Sequence, residues 1–405
     1  MGIFFSNNDK GKLVLVFHVG SSSVNGALFF ARKDGIPKII FSVNEPIALE
    51  ENISADRLLF LTIKTLEIVA SKIHKAGVGA PKEIFCVLSS LWYISQNRII
   101  KFKKNTPFLF TSKFASDLIK KETTLFEEDH AVKYLHAGVP PRLIEIKSTK
   151  MMINGYETPT PLNQKGTDLE MTIFISMSSE QILGKIEDTI RKHFSFKEIK
   201  FSSFTFSSFA VVRDIYTHNE DFLLTDIDGE VTDICMIKKN MLRELISFPL
   251  GVNFMIRDIA SEFRYSLSEA KSIISLLKDG HATVSVSKGL VPIMKKLKME
   301  WLSKFQESLA NISNDISVPG TIYLVVDKEM SGFFSDIIKT EQFSQYTLTD
   351  SQFKVTFLDA EVFHGMVSFE DNVNRDPFLI INSIYINRFL INNVHPNKQV
   401  ELKQV

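Results

Sequence analysis

The sequence predicts an α/β protein of two lobes, duplicated mixed-sheet halves around a cleft, with a small α+β insertion. Three observations predict it. Two hairpin-like stretches, "FHVGSSSVNGALF" and "LTDIDGEVTDICMI", repeat one another about two hundred residues apart. Strand and helix patterns alternate around each, as in a sheet covered by helices. Residues 91–171 break the first half with a stretch of different character, rich in Lys and Arg.

The elements follow in order. Residues 13–17 and 24–30 are apolar runs of strand length, joined tightly by Gly20, Ser21, Ser22 and Ser23. "IPKIIFSVNEPIAL" reads as a third strand. Ser54 is placed to cap a helix whose Leu58, Leu59, Thr62, Leu66 and Val69 keep helical spacing, and Gly77 ends it. "PKEIFCVLSS" is a short buried strand, so the first ninety or so residues read β-β-β-α-β. In the insertion, "SKFASDLIKKETTLFEE" reads as a helix, "PRLIEIKSTKMMINGY" alternates like strands, and "NGYETPTPLNQKG" reads as a loop. "DLEMTIFISMS" restores a strong strand. An amphipathic helix follows at "SSEQILGKIEDTIRKHF", capped by Ser178 or Ser179. "FKEIKFSSFTFSSFAVVRDIY" adds a strand and a helix.

The second half opens with "DFLLTDIDGEVTDICMIKKNMLRELISFPLG", read as three strands and two turns. Its spacing sets His18 against Asp226, Gly20 against Asp228 and Val24 against Thr232, to within one residue. Helices follow at "NFMIRDIASEF", "SLSEAKSIISLLKDG" and "VPIMKKLKMEWLSKFQESLANI". The last keeps Met294, Leu297, Trp301, Phe305 and Leu309 on one face. "GTIYLVVDKEMSGFFSDIIK" is strand, turn and helix, and "FKVTFLD" is a further strand. "DPFLIINSIYINRFLI" reads as a buried helix, because Asn382, Asn387 and Arg388 interrupt it.

Composition excludes several classes. Lys and Arg number 47, as do Asp and Glu, and this balance lacks the basic excess of a nucleic-acid-binding domain. Cys86 and Cys235 stand in apolar strand-like runs and read as buried thiols of a reducing compartment, without metal-type spacing. "MGIFFSNNDKGK" holds too few apolar residues for a secretory signal, and no run is long enough to span a membrane. A cytoplasmic protein is expected.

These motifs resemble the actin and sugar-kinase ATPase fold, and within it the bacterial FtsA/PilM family. "VGSSSVNGALFF" resembles the family's first phosphate loop and "LLTDIDGEVTDICMI" its second. "RELISFPLGVNFMIRDIA" and "SEAKSIISLLKDG" resemble the segments that follow, and "TIYLVVDKEMSGFF" stands where the adenosine loop belongs. The insertion resembles an SHS2-type subdomain. The resemblance divides the chain into 1–90 and 172–221 (subdomain 1A), 91–171 (1C), 222–262 and 321–391 (2A), 263–320 (2B) and a polar tail, 392–405.

It also implies ATP and Mg²⁺ between the lobes. Gly20, Ser21, Ser22 and Ser23 would cradle phosphate from one side. Asp228, Gly229, Glu230, Val231 and Thr232 would do so from the other, with backbone N–H groups and hydroxyls. Asp226 would hold Mg²⁺ through water. Gly251, Glu269 and Lys271 complete the implied set. Several residues depart from the pattern. His18 replaces a strand-ending Asp, Asn25 a Lys, and Asp228 the second loop's first Gly. Asp327 and Lys328 replace small residues of the adenosine loop. "SSFTFSSFAVV" offers no Glu or Gln to position water. The implied hydrolysis is slow or absent, and no catalytic residue is assigned.

The function implied first is an FtsA-like scaffold of cell division, cytoplasmic or peripheral at the inner face of the membrane, linking a division filament to membrane partners. The alternative is a PilM-like component of the type IV pilus assembly platform, which binds the tail of an inner-membrane protein. Self-association fits either reading. A sugar or acetate kinase would need a catalytic carboxylate and intact loops. "NNVHPNKQVELKQV" has no wide apolar face, so membrane contact is expected to be indirect.

Overall fold

The computed structural model describes residues 11–135, 140–278, 284–312, 317–326, 330–340 and 353–392. The expected adenosine loop at Asp327 and Lys328 and the polar tail from 393 lie outside the described residues.

The first lobe opens with the antiparallel meander β1 (Lys12–Val19), β2 (Ser23–Ala31) and β3 (Lys38–Pro46). Helix α1 (Ala55–Lys75) crosses to β4 (Glu83–Leu88), parallel to β1. The insertion supplies β5 (Ile94–Leu109), α2 (Ser112–Leu135), β6 (Pro141–Ile153), β7 (Tyr156–Glu157) and β8 (Lys165–Ser179), with its sheet ordered β5-β8-β6-β7. Then α3 (Glu180–Arg191), β9 (Ile199–Ser203) and α4 (Phe204–Ile215) return to the lobe, β9 lying parallel to β4.

The second lobe holds β10 (Phe222–Ile227), β11 (Thr232–Lys238), β12 (Met241–Phe248), α5 (Val252–Phe263), α6 (Leu267–Lys278) and α7 (Val284–Ile312). It continues with β13 (Thr321–Val326), α8 (Ser331–Thr340) and β14 (Lys354–Phe357). Strand β15 (Ser368–Phe369) rejoins the first sheet beside β3, and α9 (Pro377–Tyr385) runs into a π-helical turn at Ile386–Ile391.

The two sheets repeat one another. Strands run β3-β2-β1-β4-β9 in one and β12-β11-β10-β13-β14 in the other, with the same parallel and antiparallel neighbours. Val19 pairs with Val24, and Ile227 with Thr232. In each loop the first N–H donates to the last carbonyl, Gly20 to Ser23 and Asp228 to Val231, both at 3.0 Å. The equivalence of His18 with Asp226 and Gly20 with Asp228 therefore holds without offset. β1 and β10 lie inside their sheets, covered on both faces, which is why their sequences are near-continuous apolar runs.

Four apolar clusters follow from this layering. Helices α4 and α9 pack between the lobes, where Phe204, Phe209, Ile380 and Ile384 are buried. Helices α1 and α3 cover the outer face of the first sheet. Helices α5, α7 and α8 cover that of the second, and Trp301 stacks on Phe305 at 5.0 Å there. The predicted face of α7 is the buried one: Leu297, Trp301, Phe305 and Leu309 are fully enclosed, with Met294 packed partly buried against them. The insertion has its own core around Phe110, Phe126 and Met171. Cys86 and Cys235 are both buried and free.

Helix α1 begins as its sequence predicts. Ser54 accepts a hydrogen bond from the Arg57 N–H at 3.2 Å, and Gly77 leaves the helix with φ +63°. Ser54→Ala is expected to cost about 1 kcal/mol, read as a lowered urea midpoint with unchanged slope.

Three expectations are corrected. β5 escaped the sequence reading, although it spans sixteen residues. It is the edge of the insertion sheet and only Ile100 along it is buried, so lysines interrupt the apolar alternation. The segment read as one loop from Asn154 holds β7, paired with β6 through a turn at Asn154 and Gly155 with positive φ, and the start of β8. The boundary expected at 171/172 cuts β8, which pairs along its length with β6. Glu145 of β6 fastens the insertion to the first lobe. Its carboxylate accepts the Ser203 N–H at 2.8 Å and the Ser203 hydroxyl, at the start of α4.

Candidate functional site

The duplicated hairpins bring their loops together where the lobes meet. Gly20, Ser21 and Ser22 face Asp228, Gly229 and Glu230, and hydrogen bonds run in both directions between the two loops. Asp228 is 5% exposed and Ser21 1%. The Asp228 carboxylate accepts the N–H of Ser21 at 2.7 Å, the N–H of Ser22 at 3.1 Å, the Ser22 hydroxyl at 2.8 Å and its neighbour Gly229 N–H at 2.7 Å. In return the Glu230 N–H donates to the Ser21 hydroxyl at 2.9 Å.

Two glycines permit this approach. A Cβ on Gly229 would stand 2.7 Å from the Ser22 nitrogen, and a Cβ on Gly251 would stand 2.3 Å from the carbonyl oxygens of Asp228 and Gly229. Gly251 is the N-cap of α5, and the first N–H groups of that helix take those two carbonyls: Val252 from Asp228 at 2.9 Å and Asn253 from Gly229 at 2.8 Å. The start of α5 thus fixes the second loop from behind and leaves the Asp228 side chain aimed at the first lobe. On the other side, the Trp92 indole N–H donates to the Gly20 carbonyl at 3.0 Å, and the Ile47 N–H to that of Ser22 at 2.9 Å.

Arg257 adds a second tie between the lobes. It grips Glu230 with two bonds of 2.7 Å, joined by Asn253 at 2.8 Å, and its Nε donates to the Glu50 carbonyl of the first lobe at 2.8 Å. Sequence reasoning missed this clamp. Its only signal was the spacing of Asn253 and Arg257, four apart on one helix face.

The implied magnesium ligand does not fit its task. Asp226 is buried beside Asp233 and Asp228; burial first, then those two charges, hold its pKa well above the ordinary carboxylate range. One of its oxygens has no hydrogen-bond partner among the described residues. Asp233, across the pair from Asp226, is pushed up to about 6 by burial, against the bond it accepts from the Ser247 hydroxyl. His18, the counterpart of Asp226, is 1% exposed, stacked on Phe378 at 4.7 Å and set edge-on to Phe204. Burial pushes its pKa down to about 4, despite the opposing pull of Asp228. A neutral imidazole and a carboxylate that resists ionisation do not attract a hydrated dication. Among the described residues no group of three or more His, Cys, Asp or Glu side chains is placed to hold a metal.

The other implied residues are engaged elsewhere. The Thr232 hydroxyl donates to the Leu250 carbonyl at 2.7 Å and accepts from the Trp301 indole at 3.2 Å, so it belongs to the core of the second lobe. Glu269 closes a capping pair with Ser266 at the start of α6, accepting its N–H at 2.8 Å. Lys271 is exposed on that helix, and the Ser23 carbonyl closes the first loop. Asn25 donates to Asp376 at 3.2 Å, as Asn44 does at 3.3 Å, and Asp376 caps α9. The N–H groups of Gly20, Ser21, Ser22, Gly229 and Glu230 and the hydroxyls of Ser22 and Thr232 are therefore taken by protein, and this arrangement does not fit ATP with Mg²⁺.

Neither a family model nor a curated protein matches the chain. Solved structures do. The PilM–PilN type IV pilus biogenesis complex aligns over 92% of this chain and 97% of that one, at 13% identity and a TM-score of 0.58. The chain is similar in fold to PilM. The duplicated sheets and the insertion together make an actin-like ATPase fold of two lobes, as the sequence predicted. The ethanolamine utilization protein EutJ of Carboxydothermus hydrogenoformans aligns at 11% identity over 92% and 88% of the two chains, with a TM-score of 0.41. A Bacteroides thetaiotaomicron protein of actin-like ATPase fold and unknown function aligns at 9% identity over 95% and 99%, with a TM-score of 0.36. Similarity to PilM at this identity shows the fold alone.

Proposed function

We propose that the chain is an actin-fold scaffold of a membrane-linked assembly, and that it works by holding a short cytoplasmic segment of a membrane protein. The observation that carries this reading is the alignment with PilM, which covers 92% of this chain and 97% of that one. That neighbour was solved as a complex with PilN in pilus biogenesis, which favours the pilus reading over the division reading ranked first from sequence. A cleft whose phosphate donors are already satisfied supports a binding role over a kinase role. Among the described residues no helix is long and apolar enough to cross a membrane; in this reading the partner supplies the tether at the inner face.

The test is direct binding. The chain is titrated by fluorescence anisotropy with two labelled peptides from its own genome, the cytoplasmic tail of a pilus inner-membrane protein and the tail of the division filament protein. Micromolar affinity for the first and none for the second is expected. Binding only to the second would restore the division reading, and binding to neither would remove both.

A further inference from the structure

We propose that Asp228 is a resident anion: its carboxylate fills the amide nest of the first loop and latches the two lobes together, so that this cleft closes without nucleotide. A nest of successive N–H groups is an anion site by construction. Here the anion is a side chain. It takes three donors from the opposite lobe, two backbone N–H groups and one hydroxyl, within 3.1 Å. Both of its oxygens are used, one by Ser21 and one by Ser22 and Gly229.

The duplication explains why the latch fits. Gly20 and Asp228 occupy the same place in their hairpins. One loop carries a carboxylate there and the other carries nothing. A Cβ on Gly20 would lie 3.1 and 3.3 Å from the two Asp228 oxygens, so the gap in one hairpin receives the side chain of the other. The return bond from Glu230 to Ser21 and the reach of Arg257 to the Glu50 carbonyl close the seam on either side. A phosphoryl group competes for the same donors as Asp228 and meets its charge, so the wild-type nest is masked against the polyphosphate class it is shaped for. This inference stands on the cleft alone and holds whichever partner the scaffold takes.

The test compares the full-length wild type with Asp228→Gly, which copies the first hairpin, and Asp228→Asn, which keeps the shape but cannot accept at both positions. Amide hydrogen exchange is followed at Ser21 and Ser22, and inorganic triphosphate with Mg²⁺ is titrated by calorimetry. In the wild type both amides are protected and triphosphate gives no binding heat. In Asp228→Gly exchange accelerates about a hundredfold at both amides, and triphosphate binds and restores protection. Asp228→Asn accelerates exchange at least tenfold, an effect of lost acceptor strength. The proposal is overturned by unprotected Ser21 and Ser22 amides in the wild type, a measurement that needs no variant to fold. It is also overturned by triphosphate binding to the wild type, by unchanged protection in Asp228→Gly, or by a freed nest in that variant that takes no triphosphate.

Discussion

Asp233→Asn is expected to stabilise the chain by about 3 kcal/mol at about pH 7.5 and to leave it unchanged near about pH 3.5. The reason is burial of the Asp233 carboxyl between the lobes, to which the charge of Asp228 adds. Asp233 titrates at about 6 in the folded chain against 3.8 for the free side chain. Below 3.8 both states hold the proton and nothing is lost. As pH rises from 3.8 to about 6 the unfolded chain releases its proton first, so stability falls; above that the full penalty remains. Asparagine keeps an oxygen for the Ser247 hydroxyl and removes the charge. Urea denaturation at the two pH values measures the difference. An asparagine variant less stable than wild type at about pH 7.5 would show that the native site stabilises ionised Asp233.

His18→Asp is expected to destabilise the fold by about 3–5 kcal/mol at neutral pH and to create no magnesium site. By family pattern the substitution restores a carboxylate at the strand end. In this chain the ring packs on Phe378 and Phe204 and meets the Asn382 amide at 3.4 Å. A shorter side chain leaves that space open, and its carboxyl joins those of Asp226 and Asp228, which are already buried there. Urea midpoints give the stability and Mg²⁺ titration gives the site. A variant as stable as wild type that binds Mg²⁺ would contradict the packing account of His18.

Much of the fold was legible because its strongest signals are local. β1 and β10 are apolar runs closed by turn residues, and their matched spacing announced the duplication before any pairing was known. Ser54 and Gly77 bounded α1 by their own chemistry. β5 was hidden because an edge strand facing water needs few apolar residues. The site was legible in place but not in role. The sequence shows that an acidic residue stands at position 228 among phosphate donors, and repulsion of phosphate follows from that. It does not show that Ser21 and Ser22 from the other lobe reach the carboxylate themselves, because that contact joins residues 206 and 207 positions apart. The environment of Asp226 was hidden for a related reason: its burial beside Asp228 and Asp233 is a property of the assembled lobes. Glu269 caps α6 with Ser266, and in sequence a helix-capping glutamate and a ligand-facing one look alike.

The measurement that bears most directly on the account is calorimetric titration of the wild-type chain with ATP and Mg²⁺. A cleft already satisfied by Asp228 predicts no binding heat up to about millimolar nucleotide, the weak end of the specific range. Micromolar binding would contradict it, because nucleotide would then displace the carboxylate from Ser21 and Ser22, and the chain would be a nucleotide-responsive member of its fold.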